Sequence, residues 1–196
     1  MSKSESKRSR LFEAPRSNGY QRDDFRIVCK ETPIPKDELP DYLAKRVNKG
    51  QWMPPLLWLG WRMGANDAIV LDLPNVQTRT ILYTDGSPDY DPYYDFRDDL
   101  VTALQLSEAE QELFELHGIL DVDQDGETSL ILAVGNNNPG DMLSSELIQR
   151  IKEAGKIKEE PKWWLDEIAW YWVPGPKNPR RADFLKEIEA GKLWRW

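Results

Sequence analysis

The sequence is poor in the residues from which most metal and redox sites are built. Of 196 residues, one is cysteine and one is histidine. With Cys29 alone an intramolecular disulfide is impossible, and such a chain is most simply read as intracellular. With His117 alone a multi-histidine metal site is excluded, as is a zinc site built from several cysteines. The two residues still allow a Cys29–His117 dyad. Cys29, however, sits inside the apolar run "FRIVCK", where a buried small hydrophobe is the simpler reading. The patterns G-x-S-x-G, G-x-x-x-x-G-K-[ST] and G-x-G-x-x-G are all missing. The usual local signals for a nucleophile elbow, a P-loop and a dinucleotide fold are therefore missing too. No apolar run approaches the roughly eighteen residues that span a bilayer. The opening "MSKSESKRSR" lacks the apolar segment of a secretory signal. The expectation is a soluble protein with no cofactor and no resident metal.

Charge is present in quantity and unevenly placed. Residues 1–50 carry 12 Lys/Arg against 8 Asp/Glu, residues 51–150 carry 4 against 18, and residues 151–196 carry 10 against 8. An acidic middle disfavours nucleic-acid phosphates and favours cationic partners; solubility alone is the plainer reading.

Along the chain, residues 1–22 are rich in Ser, Lys and Arg without hydrophobic period, and read as a disordered basic arm. Residues 23–196 show no linker or low-complexity tract and read as one domain. "FRIVCK" (25–30) reads as a strand and "PDYLAKRVNKG" (40–50) as a short helix. "PPLLWLGW", "DAIVLDL" and "TRTILYT" read as strands, the last two joined by the hairpin loop "PNVQ". "DGSPDYDPYYD" (85–95) reads as a loop. A helix is expected over 96–105. A second, capped by Ser107 with Glu110, is expected to end near Gly118. "GILDVDQDGETSLILAV" (118–134) reads as a hairpin turning at Asp125-Gly126. "SSELIQRIKEAG", the tryptophan-rich 161–172 and "NPRRADFLKEIEAG" read as three helices. Regular β-α-β alternation is missing. The pattern predicts an α+β fold, a mainly antiparallel sheet with a C-terminal layer of three helices.

The nine tryptophans fall in two windows, 52–61 and 163–196. Each buries roughly 150–250 Å² when enclosed, so the two windows are expected to meet in one aromatic core. As a helix, "PKWWLDEIAWYW" (161–172) would turn Leu165, Ile168, Ala169 and Trp172 inward. Trp163, Asp166, Glu167 and Trp170 would project from its other side. Two indoles flanking two carboxylates make a candidate ligand-binding face, since both attract a cation and a carboxylate orients a hydroxyl. Packing against the rest of the same domain is the competing reading.

A second candidate lies in 85–99, where six aspartates stand among three tyrosines. Asp89, Tyr90, Asp91, Tyr93, Tyr94 and Asp95 form an amphipathic acidic surface suited to a basic protein or peptide. A solvated loop leading into a helix explains the same residues. "DVDQDG" (121–126) matches the opening of a calcium loop, but Leu132 stands where the bidentate Glu belongs and the following run is β-like. An acidic hairpin turn is the better account.

Two functions follow as expectations. The first is a non-enzymatic interaction protein, cytoplasmic or nuclear, that engages a basic partner through the acidic, tyrosine-bearing surface. The second is a small enzyme or ligand-binding protein with a Trp- and Tyr-lined pocket and carboxylates as acid and base. Nucleic-acid binding through the arm and exposed tryptophans is a weaker third, and a membrane partner is not expected.

Overall fold

"LWLGWRM" alternates bulky apolar residues with others and carries a glycine at its centre, and it forms the strand around which the sheet is assembled. The computed structural model describes residues 31–46, 52–63, 91–120 and 128–190. The arm 1–22, the strands expected at 25–30 and within 67–84, and the turn at 121–127 lie outside the described residues. So do Cys29, Asp89 and Tyr90.

In chain order the elements are β1 (Ile34–Pro35), β2 (Trp52–Met53), β3 (Leu57–Met63), α1 (Asp91–Leu104), α2 (Glu108–Gln111), β4 (Leu116–Leu120), β5 (Thr128–Asn136), α3 (Ser145–Ala154), β6 (Lys162–Leu165), β7 (Val173–Pro174) and α4 (Arg181–Glu189). Five strands make one sheet in the order β1-β6-β3-β5-β4, and β2 pairs with β7 separately. Every pairing is antiparallel. The fold is α+β with a mainly antiparallel sheet, as the sequence pattern predicts.

The two tryptophan windows meet directly. Trp58 lies opposite Trp164 and Leu59 opposite Trp163 in the β3–β6 ladder, and Trp52 faces Pro174. Alternation divides the sheet into two faces. Leu57, Leu59, Trp61, Leu132, Val134, Trp163 and Leu165 join the large core, with Phe96 and Leu100 of α1 and Leu147, Ile148 and Ile151 of α3. Trp164, Ile119, Ile131 and Ala133 form a smaller cluster on the other face, with Trp58 against it. That second face is covered because the sheet curls. The Glu167 amide donates to the Gly118 carbonyl at 3.4 Å and Ile119 bridges Asp166, so the edge strand β4 reaches the end of β6 across two intervening strands.

Several expected helices are corrected. The stretch 161–172 is strand β6, a tight turn, and the approach to β7, so among the described residues two helices rather than three follow β5. Asp166 explains the break. Its Oδ1 accepts from the amides of Ile168 and Ala169, an Asx turn that stops regular structure four residues into the run. Ile168, expected in the core, is 62% exposed. The helix expected from Ser107 to Gly118 closes after four residues because 116–120 are drawn into the ladder with β5. Its capping box between Ser107 and Glu110 is present. The helix expected at 96–105 begins at Asp91, with Pro92 in the first turn where its missing N–H is harmless. Within 40–46 the amides of Leu43 and Ala44 return to the Pro40 carbonyl in one turn, without a helix.

A buried asparagine ties the start of β3 to the loop after β5. The Asn137 side chain accepts from the Leu57 amide and donates to the carbonyls of Leu43 and Pro55, each at 3.0 Å. Its backbone amide donates to Leu57 and its carbonyl accepts from Arg46. Replacing Asn137 with Ala strands three buried backbone groups, and unfolding in urea should show a loss of about 3 kcal/mol or more. Two glycines separate by what surrounds them. A Cβ on Gly60 would meet the Leu132 carbonyl oxygen at 2.4 Å, whereas on Gly118 it would meet the movable carboxylate of Glu167. Gly60→Ala should therefore destabilise by about 2 kcal/mol, and Gly118→Ala by clearly less in the same assay.

Candidate functional site

The outward face of α1 is built by its own period. Phe96 and Leu100, four apart, are fully enclosed, while Val101 and Leu104 are packed against the same core. Tyr94, Asp95, Asp98 and Asp99 are left on the solvent side. Tyr94 is 52% exposed. Asp91 and Tyr93 lie in the first turn of the same helix. Of the expected acidic surface, Asp91, Tyr93, Tyr94 and Asp95 are thus carried on one rigid element rather than on a loop.

Residues 91–120 contain eight Asp/Glu and a single Lys or Arg, Arg97. Arg97 is turned away from any visitor. Its Nε donates to the Phe114 carbonyl at 2.9 Å, one terminal nitrogen to the Gln111 carbonyl at 3.2 Å, and the other to Asp98 at 2.7 Å. The guanidinium binds the chain that follows α2 to α1, and three of its donors are engaged. Glu108, Glu112 and Glu115 are exposed along that following segment. Glu110 is held in its charged form by the Ser107 hydroxyl and amide, which keep its pKa below the ordinary carboxylate range. Arg97 neutralises Asp98 alone of the helix's exposed acids, and Arg150 of α3 reaches toward Glu110 at the far end, so Asp95 and Asp99 keep a net negative surface beside Tyr94.

The second group of expected site residues is divided by the strand. Trp163 and Trp170 are 6% and 5% exposed and belong to the large core. Asp166 and Glu167 stand in the turn at the curl of the sheet. In place of the two expected indoles, Asp166 meets Trp58 and lies near His117, and Glu167 lies against Gly118. The Trp58 indole N–H donates to Asp166 Oδ2 at 2.7 Å. The His117 ring stacks on Trp58 with centroids 3.6 Å apart and planes 12° from parallel. Its Nε2 is buried without a hydrogen-bond partner. Burial holds the imidazole below its ordinary pKa, against the pull of the Glu115 and Asp166 carboxylates. Arg46, half-buried beside Asp166 and Tyr171, donates from Nε to the Pro54 carbonyl. The Asp166 carboxylate is thus fully engaged, with two amides on one oxygen and an indole on the other.

The sequence reading isolated His117 as the lone histidine but not its contact with Trp58, 59 positions earlier. The available signal was the rarity of the residue itself, since a lone imidazole is the chain's one side chain with an ordinary pKa near neutrality apart from the termini. Among the described residues no group of three or more His, Cys, Asp or Glu is placed to hold a metal ion. Among them, too, no helix is long and apolar enough to cross a membrane. Compared with protein-family models, with curated proteins and with solved structures, the chain matches none.

Because the folded chain disfavours charged His117, the unfolded chain takes up the proton first. The contribution of neutral His117 to stability is complete above the ordinary histidine pKa of about 6.5, and is lost as pH falls below it toward the folded value. Urea unfolding of the wild type should show this decline between pH 7 and 5. His117→Phe, which keeps an aromatic ring on Trp58, should show a flatter profile over the same range.

Proposed function

We propose that the chain is an intracellular interaction protein, without catalytic activity of its own, that engages a basic protein or peptide through the acidic, tyrosine-bearing face of α1. The supporting observation is the arrangement around Tyr94. An aromatic ring stands half out of the surface among Asp95, Asp98 and Asp99, while Arg97 is spent on two carbonyls behind it and on Asp98. A helix held by Phe96 and Leu100 presents these groups at little conformational cost, and an exposed tyrosine among acids offers a partner's Lys or Arg both charge and a π face. Such a surface steers a cationic partner and sets specificity more than it sets raw affinity. The cellular location inside the cell rests on the single cysteine.

The alternative, an enzyme or ligand-binding protein using aromatic and carboxylate side chains, draws on Asp166, Glu167, Trp58 and His117. It stands second because both Asp166 oxygens are already spent on internal donors and because Trp163 and Trp170 pack inward.

The discriminating experiment is an affinity pull-down from the source cell's extract with the wild type, with Asp89, Asp91 and Asp95 together changed to Lys, and with Tyr94→Ala. The reading predicts a stoichiometric basic protein held by the wild type and weakened at least about tenfold by the triple reversal, with steep salt dependence. A partner retained equally by all three proteins would contradict it.

A further inference from the structure

We propose that the contact between β4 and the turn at 166–169 is a proton-operated latch: protonation of the His117 imidazole releases the turn from β4 and uncovers the inner wall formed by Trp58, Trp164 and Ile119. This inference does not depend on the reading of α1.

The latch is thin where the rest of the sheet is thick. β4 is joined to β5 through five residue pairs, from Leu116–Leu132 to Leu120–Thr128. On its other edge it meets the turn through the long bond from the Glu167 amide to the Gly118 carbonyl and the bridge between Ile119 and Asp166. Side chains supply the remaining connection. His117 of β4 lies flat on Trp58 of β3, and the Trp58 indole is tethered to Asp166 in the turn. The Glu167 carboxylate lies directly against Gly118, a position where any Cβ would collide with it. The two edges are thus clasped through one imidazole, one indole and two carboxylates.

A neutral imidazole is tolerated here because it lies flat on Trp58 and leaves one uncharged nitrogen unpaired, which costs far less than an unpaired charge. An imidazolium does not suit this place. Both of its nitrogens carry a proton, and Nε2 is buried with no hydrogen-bond partner in the closed arrangement. The surrounding charges decide where the ring must go. Asp166 faces it from the turn, but its oxygens are held by two amides and the Trp58 indole. Glu167 from the same turn and Glu115 ahead of β4 are the remaining acids. Arg62 of β3 occupies the same row of the sheet through Ile131, Lys162 of β6 is paired with Gly60 on the far side, and Arg46 stands beside Asp166. Of the charged groups that act on the ring, Glu115 and Asp166 favour the imidazolium, and it is burial that disfavours a charge in the closed state. Reaching Glu115, Glu167 or water lifts the ring from Trp58 and pulls the clasp apart. Cation–π attraction to Trp58 opposes the movement, but it leaves the buried N–H unpaired, and the desolvated charge outweighs it.

The test is amide and indole hydrogen exchange by NMR on the full chain at pH 7.5 and 5.5, corrected for intrinsic exchange chemistry. His117 is the chain's lone histidine, so one imidazole signal reports its protonation without assignment ambiguity. The latch predicts that the Glu167 amide exchanges through a local opening, faster than the β3–β5 ladder amides. The opening equilibrium should rise toward about tenfold across this range, as an open-state histidine of ordinary pKa demands, and His117→Phe should abolish the rise. Unchanged Glu167 protection, an equal fall in His117→Phe, or exchange of Glu167 at the ladder's own rate would each overturn the proposal. If His117→Phe does not fold, the wild type suffices: Glu167 protection must begin to fall near the open-state histidine value of about 6.5, while the imidazole signal of the closed protein titrates at lower pH. Glu167 protection that stays flat through this range would overturn it equally.

Discussion

The antiparallel contact between Leu57–Gly60 and Lys162–Leu165 is the constraint from which the rest of the molecule follows. It joins stretches of chain 104 residues apart, counted from Gly60 to Trp164. Ordering so long a loop is entropically expensive, though only slowly more so with length. Tryptophan supplies the compensation. Trp163 and Leu59 enter the large core side by side, and Trp58 and Trp164 lie opposite each other on the inner face. Each indole also has a polar edge to satisfy. Trp61 donates to the Glu159 carbonyl, Trp163 to Lys36, Trp164 to Gly60, and Trp58 to Asp166. These bonds reach different segments, so the aromatic residues act as cross-ties as well as filler.

Once β3 and β6 are paired, the division of the sheet into two faces assigns the other elements. α1 and α3 cover the large core through Phe96, Leu100, Leu147, Ile148 and Ile151. Among the described residues the opposite face is closed by the sheet itself, where small residues let the strands approach. Ala133 and Gly60 lie opposite each other there, and the ladder shifts register between Leu59 and Gly60 where the strands come too close for a side chain. Closure brings Gly118 under Glu167 and His117 onto Trp58. The outer sides of α1, α3 and α4 are left free of such duties, and that of α1 is the acidic one.

Much of this could be read from the residues, and the errors have physical causes. Strand β3, the β4–β5 hairpin, α3 with its Ser144 cap, and the meeting of the two tryptophan windows were legible because each has a local period or cap. The run 161–172 was misread because "KWWL" is too short to separate a strand from one helical turn. Counting at helical spacing then carried through Asp166, whose side chain captures two backbone amides and ends the strand. Pro161 before it and Pro174 after it were available as breakers. The acidic side of α1 was visible as composition, whereas its rigidity was not, since Pro92 reads as a loop residue until it is seen in a first helical turn. The Trp58–His117 stack has no local signature at all. It exists only because β3, β5 and β4 lie side by side, and pairing partners are the information a single sequence carries least.

The central claim is that the tryptophans around the opening of β3 and β6 are structural cross-ties rather than a binding platform. The most direct measurement is exchange of the indole N–H protons in heavy water, read from their resolved side-chain signals. The account predicts that those of Trp58, Trp61, Trp163 and Trp164 persist well beyond the lifetime of a free indole proton, because each is held by a carbonyl or a carboxylate. Exchange of all four at the rate of free indole would contradict it.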